Sequence, residues 1–216
     1  MSSFQIVDKN FLMVSCIIPA YNEEKYIKNT IESIKNSGLV DEIIVIDDGS
    51  TDNTNKIVQK LNYVKIITNK KNLGKAQSIL RGVKLSMGNI ILICDADLQG
   101  INFDDLSKLI NPIKNNKFDI TIASNIPFVI KRFSGLRCLK KEIFKLIDKN
   151  NLSRVNYNIE EIINEVIKNY NLKFKYIKVN KIRNVHKIIK YGLIKGTYLS
   201  LKMYLELINY FIKKIW

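Results

Sequence analysis

Between residues 14 and 124 the chain alternates two hydrophobic periods. Short unbroken apolar runs, VSCIIPA (14–20), EIIVID (42–47), VKIIT (64–68), NIILIC (89–94) and FDITIAS (118–124), are too short for helices and rich in β-branched residues. They predict strands. Between them, apolar residues recur at helical spacing: Tyr26, Ile27, Thr30, Ile31 and Ile34 before Gly38, then Ile57, Val58 and Leu61, then Ala76, Ile79, Leu80 and Val83 before Gly88. FDDLSKLINPI begins a further helix, expected to break near Pro112. Strands that are apolar on both faces, joined through helices by short links, predict an α/β fold with a mainly parallel sheet flanked by helices. After residue 130 the period changes. Segments 134–147 and 159–170 read as helices, LKFKYIKVN (172–180) as a half-exposed strand, and a long helix is expected from His186 nearly to Trp216.

In parallel sheets ligands collect at the carboxyl ends of the strands. Here those ends read Pro19-Ala20-Tyr21-Asn22, Asp47-Asp48-Gly49-Ser50 and Asp95-Ala96-Asp97. Two carboxylates one residue apart repel each other, and folding alone gives no reason for the pair. A shared divalent cation gives one, through hard oxygen ligands that can bridge to a diphosphate. The bland reading of Asp95-x-Asp97 is a helix cap and a turn. In IDDGSTDNT (46–54), capping accounts for Ser50, Thr51 and Asp52, but not for Asp47 and Asp48 together.

Composition adds little until the charge is divided along the chain. At 216 residues and 46% hydrophobic content there is ample material for one sizeable core. No run of apolar residues reaches membrane-spanning length, and MSSFQIVDKNFLMVSC does not read as a secretory signal. Cys16, Cys94 and Cys138 are widely spaced, as expected of buried thiols in a reducing cytoplasm. The net charge of +15 is very unevenly placed: residues 1–130 carry +1 and residues 131–216 carry +14. In the C-terminal helix Lys195, Lys202, Glu206, Asn209 and Lys213 form one narrow polar stripe, within about 60° of one another, on an otherwise apolar surface. Such a helix can dock on its own domain, on a second copy of the chain or on an anionic membrane. Nucleic acid is not expected as a partner, because only the net charge points to it. The expected organisation is a domain over 1–185 and a basic amphipathic helix over 186–216.

Three blocks, VSCIIPAYNEEKYI, IIVIDDGSTDNT and NLGKAQSILRGVKLSMGNIILICDADLQ, together resemble glycosyltransferase family 2, inverting nucleotide-sugar enzymes with the GT-A fold. The resemblance covers about residues 13–125 and is similar in flavour to the dolichyl-phosphate mannosyltransferase branch. It implies a GT-A type, Rossmann-like domain, a nucleotide-sugar half over about 13–125 and an acceptor half over about 126–185. It implies a UDP- or GDP-linked sugar donor and a divalent cation, Mg²⁺ or Mn²⁺. Pro19, Ala20, Tyr21 and Glu23 match the first nucleotide-binding block, and Asp48, beside Asp47, matches the carboxylate that contacts the base. Lys75 matches a position near the donor diphosphate. Asp95, Ala96 and Asp97 match the D-x-D motif, with Asp97 the more direct metal ligand.

In the second half, FSGLRCLKKEIF (133–144) resembles the family's segment for the acceptor side and the sugar, with Ser134, Gly135 and Arg137 matching. Tyr157-Asn158-Ile159-Glu160 resembles a Tyr-x-x-Glu segment. An inverting transfer needs a base for the acceptor oxygen; Glu160 is the first candidate and Glu161 the second, although both also suit a helix N-terminus. His186, the only histidine, is a candidate third metal ligand. The expected function is sugar transfer to an acceptor that is lipid-linked or membrane-proximal, by a cytoplasmic protein peripheral on the inner membrane face. A non-catalytic nucleotide-sugar-binding or membrane-docking module of the same fold is the competing reading.

Overall fold

The computed structural model describes residues 12–124, 135–147 and 159–185, with isolated positions between 190 and 201. The chain divides into two compact units, Met1–Ile182 and Arg183–Trp216. In the first, strands β1 (Val14–Ala20), β2 (Glu42–Asp47), β3 (Lys65–Thr68) and β4 (Ile90–Ile93) alternate with helices α1 (Ile27–Asn36), α2 (Thr54–Gln59) and α3 (Lys75–Leu85). There follow a two-residue strand β5 (Leu98–Gln99), helix α4 (Phe103–Lys114), β6 (Ile120–Ser124), β7 (Arg137–Lys140), a 3-10 helix (Lys141–Leu146), α5 (Ile159–Asn169) and β8 (Phe174–Lys178).

Seven of these strands form one sheet in the order β3-β2-β1-β4-β7-β6-β8. All run the same way except β7, which is antiparallel to both neighbours. Alternate residues of each strand face opposite sides. Cys16, Ile18 and Ala20 of β1 therefore join a core with Ile27, Ile31 and Ile34 of α1 and Leu106 and Leu109 of α4. Ile17 faces the other way, into a core with Ile79 and Val83 of α3 and Ile159, Ile163 and Val166 of α5. Burial on both faces is why these strands read as unbroken apolar runs.

Two expectations are corrected. Residues 137–140 are a strand, not part of a helix over 134–147. RCLK is inserted antiparallel between β4 and β6, with Arg137, Cys138 and Leu139 fully buried on both faces, so it carries no two-residue alternation. Helix α4 also runs through Pro112 to Lys114. Only two helical residues follow the proline, so little is lost, and the Pro112 carbonyl accepts the amide of Lys117 at 2.9 Å.

The strand order reverses between β1 and β4: β2 and β3 extend to one side, β7 and β6 to the other. At that switch point the carboxyl ends of β1, β2 and β4 meet the amino end of antiparallel β7, where Arg137 pairs with Ile93. His186, Ser134, Tyr157 and Asn158 lie outside the described residues, as does nearly all of the expected C-terminal helix. Positions 190, 193, 194, 197, 198 and 201 are helical.

Candidate functional site

The first wall of the site is built from two loops stitched to each other. After β1, the amide of Asn22 donates to Ser50 Oγ at 3.0 Å, that of Glu23 to Thr54 Oγ1 at 2.7 Å and that of Glu24 to Asp52 Oδ2 at 3.1 Å. The amide of Thr51 returns a bond to Asn22 Oδ1 at 2.8 Å. Most of the DGSTDNT turn therefore holds the β1–α1 loop in addition to starting α2. Pro19 is half-buried, Ala20 is buried with its carbonyl accepting the Asp48 amide, Glu23 is half-buried, and Tyr21 stands exposed at the rim.

Asp47 and Asp48 are both buried, and both are hydrogen-bonded within the fold. Asp47 accepts the Ser50 amide at 3.0 Å and the Asn55 side-chain amide at 2.8 Å. Asp48 accepts the amides of Leu73 at 2.9 Å and Gly74 at 2.8 Å, and the side chain of Asn69 at 2.7 Å. The neighbouring turn fits closely against the same loop. A Cβ on Gly49, whose φ is +77°, would stand 2.9 Å from the Lys71 carbonyl carbon. Asp48 and Gly49 thus seat the segment that leads into α3 and to Lys75.

Lys75 is the centre of the site. Its Nζ lies 2.6 Å from Asp95 Oδ1 and 2.6 Å from Glu160 Oε1, joining the D-x-D segment to α5 across 85 residues of sequence. Burial by itself lowers the pKa of this ammonium, but the Asp95 and Glu160 carboxylates overcome that and hold it well above the ordinary lysine value.

The D-x-D backbone is fixed from the opposite side by Thr30. This buried residue of α1 directs its hydroxyl at the carbonyls of Ala96, 2.9 Å away, and Leu98, 3.1 Å away. A Cβ on Gly135 would fall on the Asp95 carboxylate. The glycine lets the chain entering β7 pass directly over Asp95. Asp95 and Asp97 are half-buried at the mouth, while Ala96 between them is buried.

Two hard carboxylates at a site mouth suit a divalent cation. Among the described residues no three His, Cys, Asp or Glu side chains converge as a complete ligand set. The donor set therefore fits a cation that takes its remaining ligands from water, from phosphate oxygens or from outside the described residues.

Arg137 is fully buried and ties β7 to α5, its NH1 donating to the Glu160 carbonyl at 3.2 Å and to Asn164 Oδ1 at 2.9 Å. Burial pulls its pKa down while the nearby carboxylates, Glu160 foremost, pull it up; the net shift is downward. Glu160 and Glu161 are both 4% exposed, yet they differ completely in partners. Glu160 holds Lys75, whereas neither carboxylate oxygen of Glu161 has a hydrogen-bond partner among the described residues.

The structure thus brings Lys75, Asp95, Arg137, Glu160 and Glu161 together, places Pro19, Ala20, Tyr21 and Glu23 along the rim loop, and puts Asp47 and Asp48 in the scaffold beneath. Sequence reading missed Thr30 and Asn164 as parts of the site. Thr30 did carry a signal, as a lone hydroxyl on the apolar face of α1.

The family model for glycosyl transferase family 2 matches residues 15–161. The chain belongs to this family. As a family 2 member it is 34% identical to the UDP-N-acetylglucosamine–dolichyl-phosphate N-acetylglucosaminyltransferase of Methanococcus voltae, over 60% of this chain and 58% of that protein. It is 39% identical to the dolichol-phosphate mannosyltransferase of Pyrococcus furiosus, over 52% of this chain and 33% of that protein. The chain thus spans about half or less of the length of these two curated relatives. An uncharacterised protein of Methanocaldococcus jannaschii, 27% identical, matches over 89% of both chains. Among solved structures, the Mycobacterium tuberculosis glucosyl-3-phosphoglycerate synthase in complex with Mn²⁺, UDP-glucose and phosphoglyceric acid shares the fold. Its TM-score is 0.69 at 19% identity, covering 81% of this chain and 72% of that one.

Proposed function

We propose that this family 2 chain is an inverting glycosyltransferase that moves a sugar from a UDP- or GDP-linked donor to a polyprenyl phosphate. The observation that carries the reading is the Lys75 bridge between Asp95 and Glu160, with Glu161 buried next to Glu160 in sequence and without a hydrogen-bond partner among the described residues. One small site then offers cation ligands, a cation for phosphate and an unengaged carboxylate. The lipid-phosphate acceptor is supported by the names of the curated relatives, which act on dolichyl phosphate.

In this reading Pro19, Ala20, Tyr21 and Glu23 border the nucleoside, and Asp47 and Asp48 keep the two loops around it in place. Lys75 meets the donor diphosphate from the first turn of α3, where its charge and the helix dipole act in the same sense. Asp97 and Asp95, with His186 as a candidate further ligand, would hold a divalent cation, Mg²⁺ or Mn²⁺, which when bound would supply charge stabilisation to the departing diphosphate. Arg137 sets the position of α5 through the Glu160 carbonyl and Asn164. The acceptor oxygen attacks the anomeric carbon from the face opposite the diphosphate, and the bond to the phosphate oxygen breaks with its electron pair. Where the acceptor phosphate is still the monoanion, near or below its second pKa of about 6, the proton on the attacking oxygen passes to Glu161; the dianion attacks without losing a proton. The sequence ranks Glu160 above Glu161 as the base; the geometry favours the reverse, because Glu160 is engaged by Lys75.

The basic second half would hold the enzyme on an anionic membrane, peripheral on the cytoplasmic face. Leu193, Ile194, Tyr198 and Leu201 support this: all are exposed, and at helical spacing they fall within about 140° of one another. Among the described residues no helix is long and apolar enough to cross a membrane.

The test is radiolabelled sugar transfer by the full chain to polyprenyl phosphate in phosphatidylglycerol-containing vesicles, with Mn²⁺ or with EDTA. Transfer is expected with UDP- or GDP-sugars, lost in EDTA and in Asp97→Ala, and accompanied by co-sedimentation with the vesicles that weakens at high salt. Full activity in EDTA would remove the metal role. Transfer only to acceptors lacking a phosphate would overturn the acceptor assignment.

A further inference from the structure

Lys75 sits where a cation would be expected to act. Its ammonium is 2.6 Å from Asp95, the first acid of the D-x-D motif, and 2.6 Å from Glu160. The side chain is 32% exposed, so it borders the open site. An ammonium has three donors, and among the described residues two are in use, which leaves one for an incoming oxygen. The described residues also lack a complete ligand set of three His, Cys, Asp or Glu side chains. A cation entering alone would have to compete with a lysine already paired to Asp95, one of its ligands, and would gain few further ligands from the described residues in return. A diphosphate changes both terms. Its oxygens complete the coordination of the ion, and they give the lysine a new anionic partner.

We propose that Lys75 is a placeholder for the divalent cation, neutralising Asp95 in the ligand-free protein and yielding it only when a diphosphate arrives to receive the ammonium. The inference rests on the metal-dependent reading of the site proposed above. The lysine thereby makes cation and nucleotide binding interdependent. Its pairing to Glu160 links that event to α5, the element that also carries Glu161.

The test is Mn²⁺ binding followed by electron paramagnetic resonance, reading the loss of the free-ion signal, for the full chain with and without UDP or GDP. In the unmodified protein Mn²⁺ alone should bind weakly, and the nucleoside diphosphate should tighten it strongly. In Lys75→Met, Mn²⁺ alone should bind at least about tenfold tighter, equivalent to about 1.4 kcal/mol, and the nucleotide should add much less. Lys75→Gln keeps a polar neutral side chain and should behave alike, should the methionine variant fold poorly. Lys70→Met and Lys71→Met remove equal charge from the adjoining loop and should leave Mn²⁺ binding unchanged, which separates a placeholder from a general field effect. If both Lys75 variants bind Mn²⁺ alone no better than the unmodified protein, while nucleotide-supported binding persists there, the placeholder is overturned and the metal reading stands. If no protein binds Mn²⁺ even with UDP or GDP, both are overturned.

Discussion

Glu160 and Glu161 are adjacent on α5 and equally buried, and their chemistry is set by what each one touches. The first is neutralised by Lys75; the second keeps a carboxylate out of water with no hydrogen bond among the described residues. An unpartnered buried carboxylate costs stability, and such a cost persists where a site needs the group. Glu161→Gln should therefore raise the melting temperature while kcat falls, most steeply below about pH 6, where the acceptor phosphate still carries a proton. Calorimetry and steady-state kinetics read the two effects separately. A variant that melts higher and retains full kcat would remove Glu161 from the chemistry. The ambiguity between the two acids could not be resolved from sequence, since neighbouring glutamates at a helix start look alike until a lysine from 85 residues away selects one.

At the scale of elements, the five strands of the first half were legible because each contains a short apolar run closed by a turn, and four of them are buried on both faces. Strand β7 was not, for a related reason: three of its four residues are buried between two other strands and leave no alternation to read. The seat of Lys75 was equally hidden, because no local pattern shows that Asp48 accepts three N–H donors from the segment leading into α3. Helix α3 offers a direct measurement of how tightly an element is set. Gly82 lies in its interior, where alanine would ordinarily stabilise by about 1 kcal/mol through helix propensity. Here a Cβ would approach the Ile17 Cγ2 methyl of β1 to 2.6 Å, and overpacking a core costs about 1–3 kcal/mol. The clash should win. Gly82→Ala is expected to lower the urea midpoint, and a higher midpoint would show that α3 can move off the sheet without cost.

For the whole molecule, the acid-sensitive contacts are spread over several elements. Burial by itself raises the pKa of Asp105 at the start of α4. The Asn102 side chain, the amides of Lys181 and Asn180 and the charge of Lys108 outweigh this, and its pKa is lowered. For Asp119, burial is likewise outweighed, chiefly by Lys140 and the Lys173 amide. A carboxylate whose folded pKa lies below its unfolded value, about 3.9, contributes stability above the unfolded value and loses it as pH falls through the folded one. Urea unfolding should thus show stability declining as pH falls from about 5 to about 2, and Asp105→Asn should flatten that decline. An unchanged slope in the variant would mean the linkage lies elsewhere. The same carboxylate also accepts the amides of Asn180 and Lys181 at 3.2 and 3.3 Å.

The sequence by itself determined the α/β class, most of the sheet, and the three acidic or polar strand ends that make the site. These follow from local periodicity and from residues adjacent in the chain. Only the tertiary structure decided that β7 is a strand, that Asp48 serves a loop, that Thr30 holds the D-x-D backbone, and that Lys75 joins Asp95 to Glu160. Each depends on which distant group lies within hydrogen-bond reach of a buried polar atom. That is fixed by strand order and packing, and no local pattern records it.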